Sequence, residues 1–314
     1  MSEKSLRMSL APAPHERIPL GTSGLEVAPL GWGMWRLPGA DRGGARRRIE
    51  AALESGCTLF DTADIYGYSR GRGFGEAESL LGEVLREAPQ LREQMVLASK
   101  AGIVPGAPYD SSVDYLIEAC EASLKRLAVE RIDLWQIHRP DLLTHPAEVA
   151  AAGERLRRAG KIRAFGVSNY TAAQVEALCA LLPFELAAVQ NEFSALAIAP
   201  LTDGTMDLAM QRGVAVLAWS PLAQGQLAGG AAQGSEPARL GALLAALDAV
   251  ANRAGTPRSA VAYAWVMAHP ARPIALIGSQ DPARIREAQS AYAVRLTRAE
   301  WYRILVASRG APLP

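Results

Sequence analysis

Residues 132–169 read IDLWQIHRPDLLTHPAEVAAAGERLRRAGKIRAFGVSN. The runs Ile132 to His138 and Ile162 to Ser168 are short and mostly apolar, and between them Pro146 to Ala159 carries a helical pattern that should stop at Gly160. Apolar runs without polar alternation suit parallel strands buried on both faces, and parallel neighbours require a crossover, which the intervening helix supplies. The unit recurs outward in both directions. Further strands are expected at Leu30 to Trp35, Thr58 to Ala63, Met95 to Lys100, Ala187 to Phe193, Val214 to Ser220 and Pro273 to Gly278. Further helices are expected at Arg42 to Ser55, Glu76 to Glu87, Val113 to Leu127, Thr171 to Leu181, Asp203 to Arg212 and Asp281 to Tyr292, with Thr171 and Asp281-Pro282 as opening signals. Eight strands in this rhythm predict an α/β fold, a (β/α)8 TIM barrel.

Outside the period, Ile18 to Leu20 and Leu25 to Ala28, joined by Gly21-Thr22-Ser23-Gly24, read as an N-terminal β-hairpin closing the barrel's bottom. After the seventh strand come a Gly/Ala/Gln-rich stretch, Gln224 to Glu236, read as a mobile loop, and two extra helices at Arg239 to Arg253 and Pro257 to His269, with another expected at the C-terminus. No composition shift marks a second domain, so residues 17–314 are expected to form one barrel domain behind a flexible segment, residues 1–16. Gly71-Arg72-Gly73-Phe74-Gly75 lacks the GxGxxG spacing and does not directly follow a strand, so it reads as a flexible rim loop.

Composition narrows the function classes. The 33 Lys+Arg against 32 Asp+Glu leave a net charge of +1, with no basic excess to neutralise a nucleic-acid backbone. Cys57, Cys120 and Cys179 are odd in number and widely spaced, which fits neither a disulfide framework nor a zinc knuckle and suits a reducing cytoplasm. The four histidines, His15, His138, His145 and His269, never pair at ligand spacing, so no metal site is expected. No apolar run approaches a signal peptide or the ~20 residues of a membrane span. The expected partner is a small molecule rather than nucleic acid or membrane, and with no heptad or apolar stripe the expected state is a monomer.

Parallel barrels place active sites at the C-terminal ends of their strands. Here those ends read Asp61-Thr62-Ala63 followed by Tyr66-Gly67, then Ser99-Lys100, Ile137-His138 and Gly166-Val167-Ser168-Asn169. Each residue has an ordinary explanation when taken singly, but together they bring a carboxylate, a phenol, an ammonium and an imidazole to one mouth. A lysine and an aspartate closing neighbouring buried strands must also pair, so an Asp61–Lys100 ion pair is expected.

Together with Gln190, Trp219-Ser220-Pro221-Leu222 and Ile277-Gly278-Ser279, these motifs resemble the aldo-keto reductase superfamily from about residue 17 to about residue 305. The resemblance implies an NADP(H)-dependent oxidoreductase that reduces aldehydes or ketones to alcohols. Tyr66 would be the general acid, Lys100 the cation that eases its proton transfer, Asp61 the group holding Lys100, and His138 the donor to the substrate oxygen. Ser168, Asn169 and Gln190 would hold the nicotinamide carboxamide and Trp219 would stack on its ring, with Met34 (through its backbone), Trp35 and Asp61 nearby. Ser220, Pro221, Leu222, Gln224, Gln226 and Leu227 would follow the pyrophosphate. At the adenosine end Ile277, Gly278, Ser279, Arg284, Glu287 and Ala288 are implicated, with Ser279 and Arg284 on the 2'-phosphate. Gly278 and Gln280 stand where a basic residue is frequent, which keeps NAD(H) use possible beside the preferred NADP(H). Trp35, Tyr66 and His138 would line the substrate pocket, and Ile103 to Asp110 and the residues just after His138 are further candidates.

Two other classes compete. A nicotinamide-binding sensor or regulatory subunit with little turnover would share the fold, although the intact Asp61, Tyr66, Lys100 and His138 set favours an enzyme. An aldolase using Lys100 as a Schiff base would need a phosphate or carbonyl-acid site that the sequence does not offer.

Overall fold

The computed structural model describes residues 16–68, 73–229 and 237–314. Residues 1–15, Gly71 and Arg72 of the glycine-rich rim stretch, and 230–236 of the expected mobile loop lie outside the described residues. Two short strands, β1 (Ile18–Pro19) and β2 (Glu26–Val27), pair antiparallel as the hairpin. Its turn residue Gly21 sits at φ +58°, and a side chain there would run into the Ala187 carbonyl.

The barrel strands are β3 (Leu30–Gly33), β4 (Leu59–Asp61), β5 (Val96–Ala101), β6 (Ile132–Ile137), β7 (Ile162–Ser168), β8 (Ala188–Glu192), β9 (Ala215–Trp219) and β10 (Ile274–Ile277). They close in the order β10-β3-β4-β5-β6-β7-β8-β9, every pair parallel. The helices are α1 (Arg42–Glu54), α2 (Glu76–Glu87), α3 (Val113–Leu127), α4 (Pro146–Arg158), α5 (Ala172–Cys179), α6 (Thr205–Arg212), α7 (Pro237–Ala254), α8 (Arg258–Met267), α9 (Pro282–Glu287) and α10 (Arg298–Arg309). Thr171 and Gln174 form a reciprocal capping box on α5, as do Thr297 and Glu300 on α10. The expected helix Asp281 to Tyr292 divides in two: α9 ends at Glu287 and the chain tightens into a 3-10 turn over Ala288–Ala293. That turn buries Tyr292 and lets its hydroxyl accept the Leu30 N–H at 3.2 Å.

Strand side chains alternate between the barrel interior and the helix shell. Leu59, Ala98, Leu134, Ala164, Ala188, Leu217, Ile274 and Leu276 fill the interior, where they pack with Ile18, Leu20, Leu25 and Val27 of the hairpin. The alternate residues Phe60, Leu97, Trp135, Phe165, Val189 and Val216 face the helices, and Trp135 stacks on Phe165 at 6.1 Å. Two residues further along four of the strands the interior face turns polar, with Asp61, Lys100, Gln136 and Gln190 all buried. On β7 the same layer holds Gly166, where a Cβ would lie 2.9 Å from the Ala188 oxygen and 3.2 Å from Gln136 Cγ. The glycine leaves the space that Gln136 fills. No helix among the described residues is long and apolar enough to cross a membrane.

Candidate active site

The polar layer is a charge assembly closed on itself. Lys100 Nζ lies 2.6 Å from Asp61 Oδ2 and donates also to the Thr62 carbonyl at 2.8 Å. The other Asp61 oxygen accepts from Gln190 Nε2 at 2.9 Å and Gln136 Nε2 at 3.3 Å. The ion pair required by burial is therefore present, and two amides complete the shell of its carboxylate. Burial pulls Lys100 down, but Asp61 and then Tyr66 outweigh it and hold the ammonium above its ordinary value.

Above this layer, Tyr66 and His138 meet edge to face with ring centroids 5.7 Å apart, and Lys100 Nζ lies 5.0 Å from the Tyr66 ring centre. The Tyr66 loop is fastened through its backbone, which donates to the Ala63 carbonyl and accepts from Ala77 N at the start of α2. Burial pushes the Tyr66 phenol up and Lys100 pulls it back, with the net effect upward. Burial, then the cations Lys100 and Arg139, push His138 well below its ordinary value, so its imidazole is neutral at neutral pH. Among the described residues nothing hydrogen-bonds the buried His138 Nδ1. The His138 backbone is clamped instead, its N–H donating to Ala101 O at 2.8 Å and its carbonyl accepting from Asn169 Nδ2 at 2.9 Å.

Behind Tyr66 lies a second buried charge cluster. Glu78 accepts from the Ser99 hydroxyl and from Arg126 Nε at 2.7 Å. Asp64 is fully buried nearby, with neither carboxylate oxygen hydrogen-bonded. Burial first, then Glu78, raise Asp64 well above the usual carboxylate range against the pull of Arg126.

The Aldo/keto reductase family model matches residues 29–307. The chain belongs to the aldo/keto reductase family. It is 50% identical over 309 residues to a 6-dehydroglucose reductase of Novosphingobium aromaticivorans, covering 98% of this chain and 100% of that one. It is 38% identical to the oxidoreductase YdhF of Escherichia coli, covering 95% and 99%. A 6-dehydroglucose reductase of Agrobacterium fabrum is 34% identical, covering 91% and 96%. The solved structure of the thermostable aldo-keto reductase Tm1743 with the inhibitor epalrestat superposes with a TM-score of 0.80 at 25% identity, covering 93% of this chain and 99% of that one.

Aldo/keto reductases generally use nicotinamide cofactors, and the residues expected to contact one here divide by accessibility. Trp219 is half-buried at the mouth, with its indole N–H fixed on Asn169 Oδ1 at 3.2 Å. The Ser168 hydroxyl is engaged by the Gln190 carbonyl at 2.9 Å, and Asn169 holds φ at +61°. After β9 the backbone is unusual: Ser220, Ala223 and Gln224 all have positive φ, a conformation that non-glycine residues adopt when the surroundings impose it. Such a folded-back loop, half-open beside an aromatic ring, fits a ligand's phosphate chain.

Pro221, Leu227, Ile277 and Ala288 are buried, and so is Met34, whose N–H donates to Asp61 O. Leu222 and Gln226 are half-buried, and Gln224 and Gly278 are exposed. Ser279 Oγ accepts from Asp281 N at 3.2 Å, and the exposed Arg284 lies 3.8 Å from the Asp281 carboxylate. Glu287 is exposed and accepts from Ser259. Arg48, which sequence reasoning missed, reaches the same place from α1 and donates to Gln280 O at 2.9 Å. Trp35 is 47% exposed on the rim with Arg36 stacked 5.5 Å above its ring. The segment Ile103 to Asp110, which follows β5, folds back on itself through an Ile103–Tyr109 bridge.

Proposed function

We propose that this protein is an NADP(H)-dependent aldehyde reductase whose substrate is 6-dehydroglucose or a closely similar sugar aldehyde. The observation that carries the reading is the locked Lys100 ammonium, paired with Asp61 at 2.6 Å and set 5.0 Å from the Tyr66 ring, beside a neutral His138. The sugar aldehyde comes from the relatives, two of which are named for 6-dehydroglucose. NADP(H) is favoured because Arg48 and Arg284 bring two guanidinium groups to the neighbourhood of Ser279.

When bound, the reduced nicotinamide supplies the hydride. Trp219 and the Ser168, Asn169 and Gln190 group would orient its ring. A neutral imidazole keeps one N–H, which His138 donates to the substrate oxygen. Tyr66 then gives its proton to the oxygen as negative charge develops there. Lys100 stabilises the phenolate left behind and so offsets the upward push that burial exerts on the phenol. Asp61, with Gln136 and Gln190, keeps Lys100 charged and aimed. The same lock argues against a Schiff-base role, because a permanently protonated amine has no lone pair for attack.

The test compares wild type with Tyr66→Phe. Losing the proton donor should lower kcat for 6-dehydroglucose by about 10²–10⁴-fold, with NADPH affinity retained. Turnover in the variant within about tenfold of wild type would remove Tyr66 from the mechanism. Tight nucleotide binding by wild type without turnover would favour the sensor.

A further inference from the structure

Arg139 follows His138 immediately at the end of β6. Its side chain is exposed, and among the described residues it makes no hydrogen bond, ion pair or ring contact. It is near enough to His138 to depress the imidazole's basicity. Long exposed arginines are usually entropically free, but the backbone carrying this one is stiff. The residue before a proline is confined to extended conformations, and Pro140 fixes the next φ. Asp141 then pins the loop, accepting from Ser111 N at 3.1 Å, Leu143 N at 3.0 Å and the Thr144 hydroxyl at 2.6 Å. The loop is thus tied to the neighbouring segment after β5.

A guanidinium with five donors and no protein acceptor, held on a rigid loop beside the carbonyl-binding imidazole, is placed to serve a ligand. Two aromatic rings share the rim: Trp35 at 47% exposure and Tyr109 at 40%. Aromatic faces and a fork of donors on one rim suit a ring that offers C–H faces and hydroxyl oxygens. Glu192 shares the interior face of β8 with Gln190, two residues nearer the mouth. Burial raises its carboxyl, and no hydrogen bond or ion pair engages it among the described residues. A carboxyl at the same mouth disfavours an anionic substrate but accepts hydroxyl donors.

Resting on the sugar-aldehyde reading above, we propose that Arg139 is a specificity-determining residue. Its guanidinium donates to hydroxyl oxygens of a polyhydroxylated aldehyde whose carbonyl sits between Tyr66 and His138. An unhydroxylated aldehyde of the same length gains nothing from it.

The experiment measures kcat and KM with NADPH for D-glyceraldehyde, propanal and succinic semialdehyde, in wild type, Arg139→Ala and Arg139→Lys. A hydrogen bond from a charged donor corresponds to a discrimination of about 10–100-fold. The ratio of kcat/KM for D-glyceraldehyde over propanal should therefore fall by at least about tenfold in Arg139→Ala, chiefly through KM, with partial recovery in Arg139→Lys. Equal losses on D-glyceraldehyde and propanal, or no loss on either, would overturn the inference and leave the reductase reading standing. A loss greatest on succinic semialdehyde would also overturn it, in favour of an anion reader. No turnover of any aldehyde by wild type would bring down both together.

Discussion

Lys100 and Asp61 are 1% and 3% exposed at their side chains, so each depends on the other for its charge to be tolerated. Lys100→Met should abolish turnover and also cost about 3–5 kcal/mol, because it strands a buried carboxylate. Denaturant melts would check the second part, and a variant as stable as wild type would contradict the ion-pair account. Asp64 makes an opposite case. Burial and Glu78 raise its carboxyl well above the usual range when folded, whereas in the unfolded chain it ionises above pH ~4. The unfolded state therefore binds fewer protons between the two values, and stability falls as pH rises through that window. Asp64→Asn carries no such loss. Its melting temperature should equal or exceed that of wild type at pH 7, with the gap closing toward pH 4; a lower value at pH 7 would show that Asp64 is ionised in the fold. Asp61, Lys100 and His138 are legible in the sequence because each ends an apolar run with a group that burial would otherwise forbid. Gln136 is not, since a neutral amide inside such a run announces no chemistry, although counting back two residues from His138 puts it on the interior face. The Asp64, Glu78 and Arg126 cluster is equally hidden, because its members meet only when α2 and α3 dock outside β5.

At the level of elements, β7 shows how backbone and site are coupled. Gly166→Ala would push a methyl into the Ala188 carbonyl and Gln136 Cγ. Overpacking of this kind should cost about 1–3 kcal/mol and loosen the amide shell of Asp61. A thermal melt together with kcat would show both effects, and a fully neutral Gly166→Ala would mean that β7 and β8 can separate freely. Helix positions are the most legible feature of the sequence. Thr171 and Asp281 cap as their residue types suggest, with Gln174 closing the box on Thr171. The end of α9 is not legible, because its apolar pattern continues through Tyr292 while the backbone changes to a tighter turn that serves Leu30 at the start of β3. The positive φ values at Ser220, Ala223 and Gln224 are likewise silent in the sequence, for only Gly225 among these neighbours signals a left-handed conformation.

The whole molecule divides its duties along the barrel axis. Hairpin and apolar interior fill one end, and every group proposed for chemistry lies at the other, where the strand termini surround one mouth. This division was legible because eight strands in one rhythm admit few other closures, and because the polar residues all fall at the same ends of their runs. What the mouth selects is not legible in that rhythm, since loops of no fixed period shape it. The central claim is tested most directly on the intact protein by titrating nicotinamide fluorescence with NADPH and NADH, then adding 6-dehydroglucose and identifying the product. Tight NADPH binding, nucleotide oxidation and stoichiometric glucose are the expected result. An advantage for NADH of about tenfold in kcat/KM would overturn the cofactor assignment, and failure to bind either nucleotide would contradict the account as a whole.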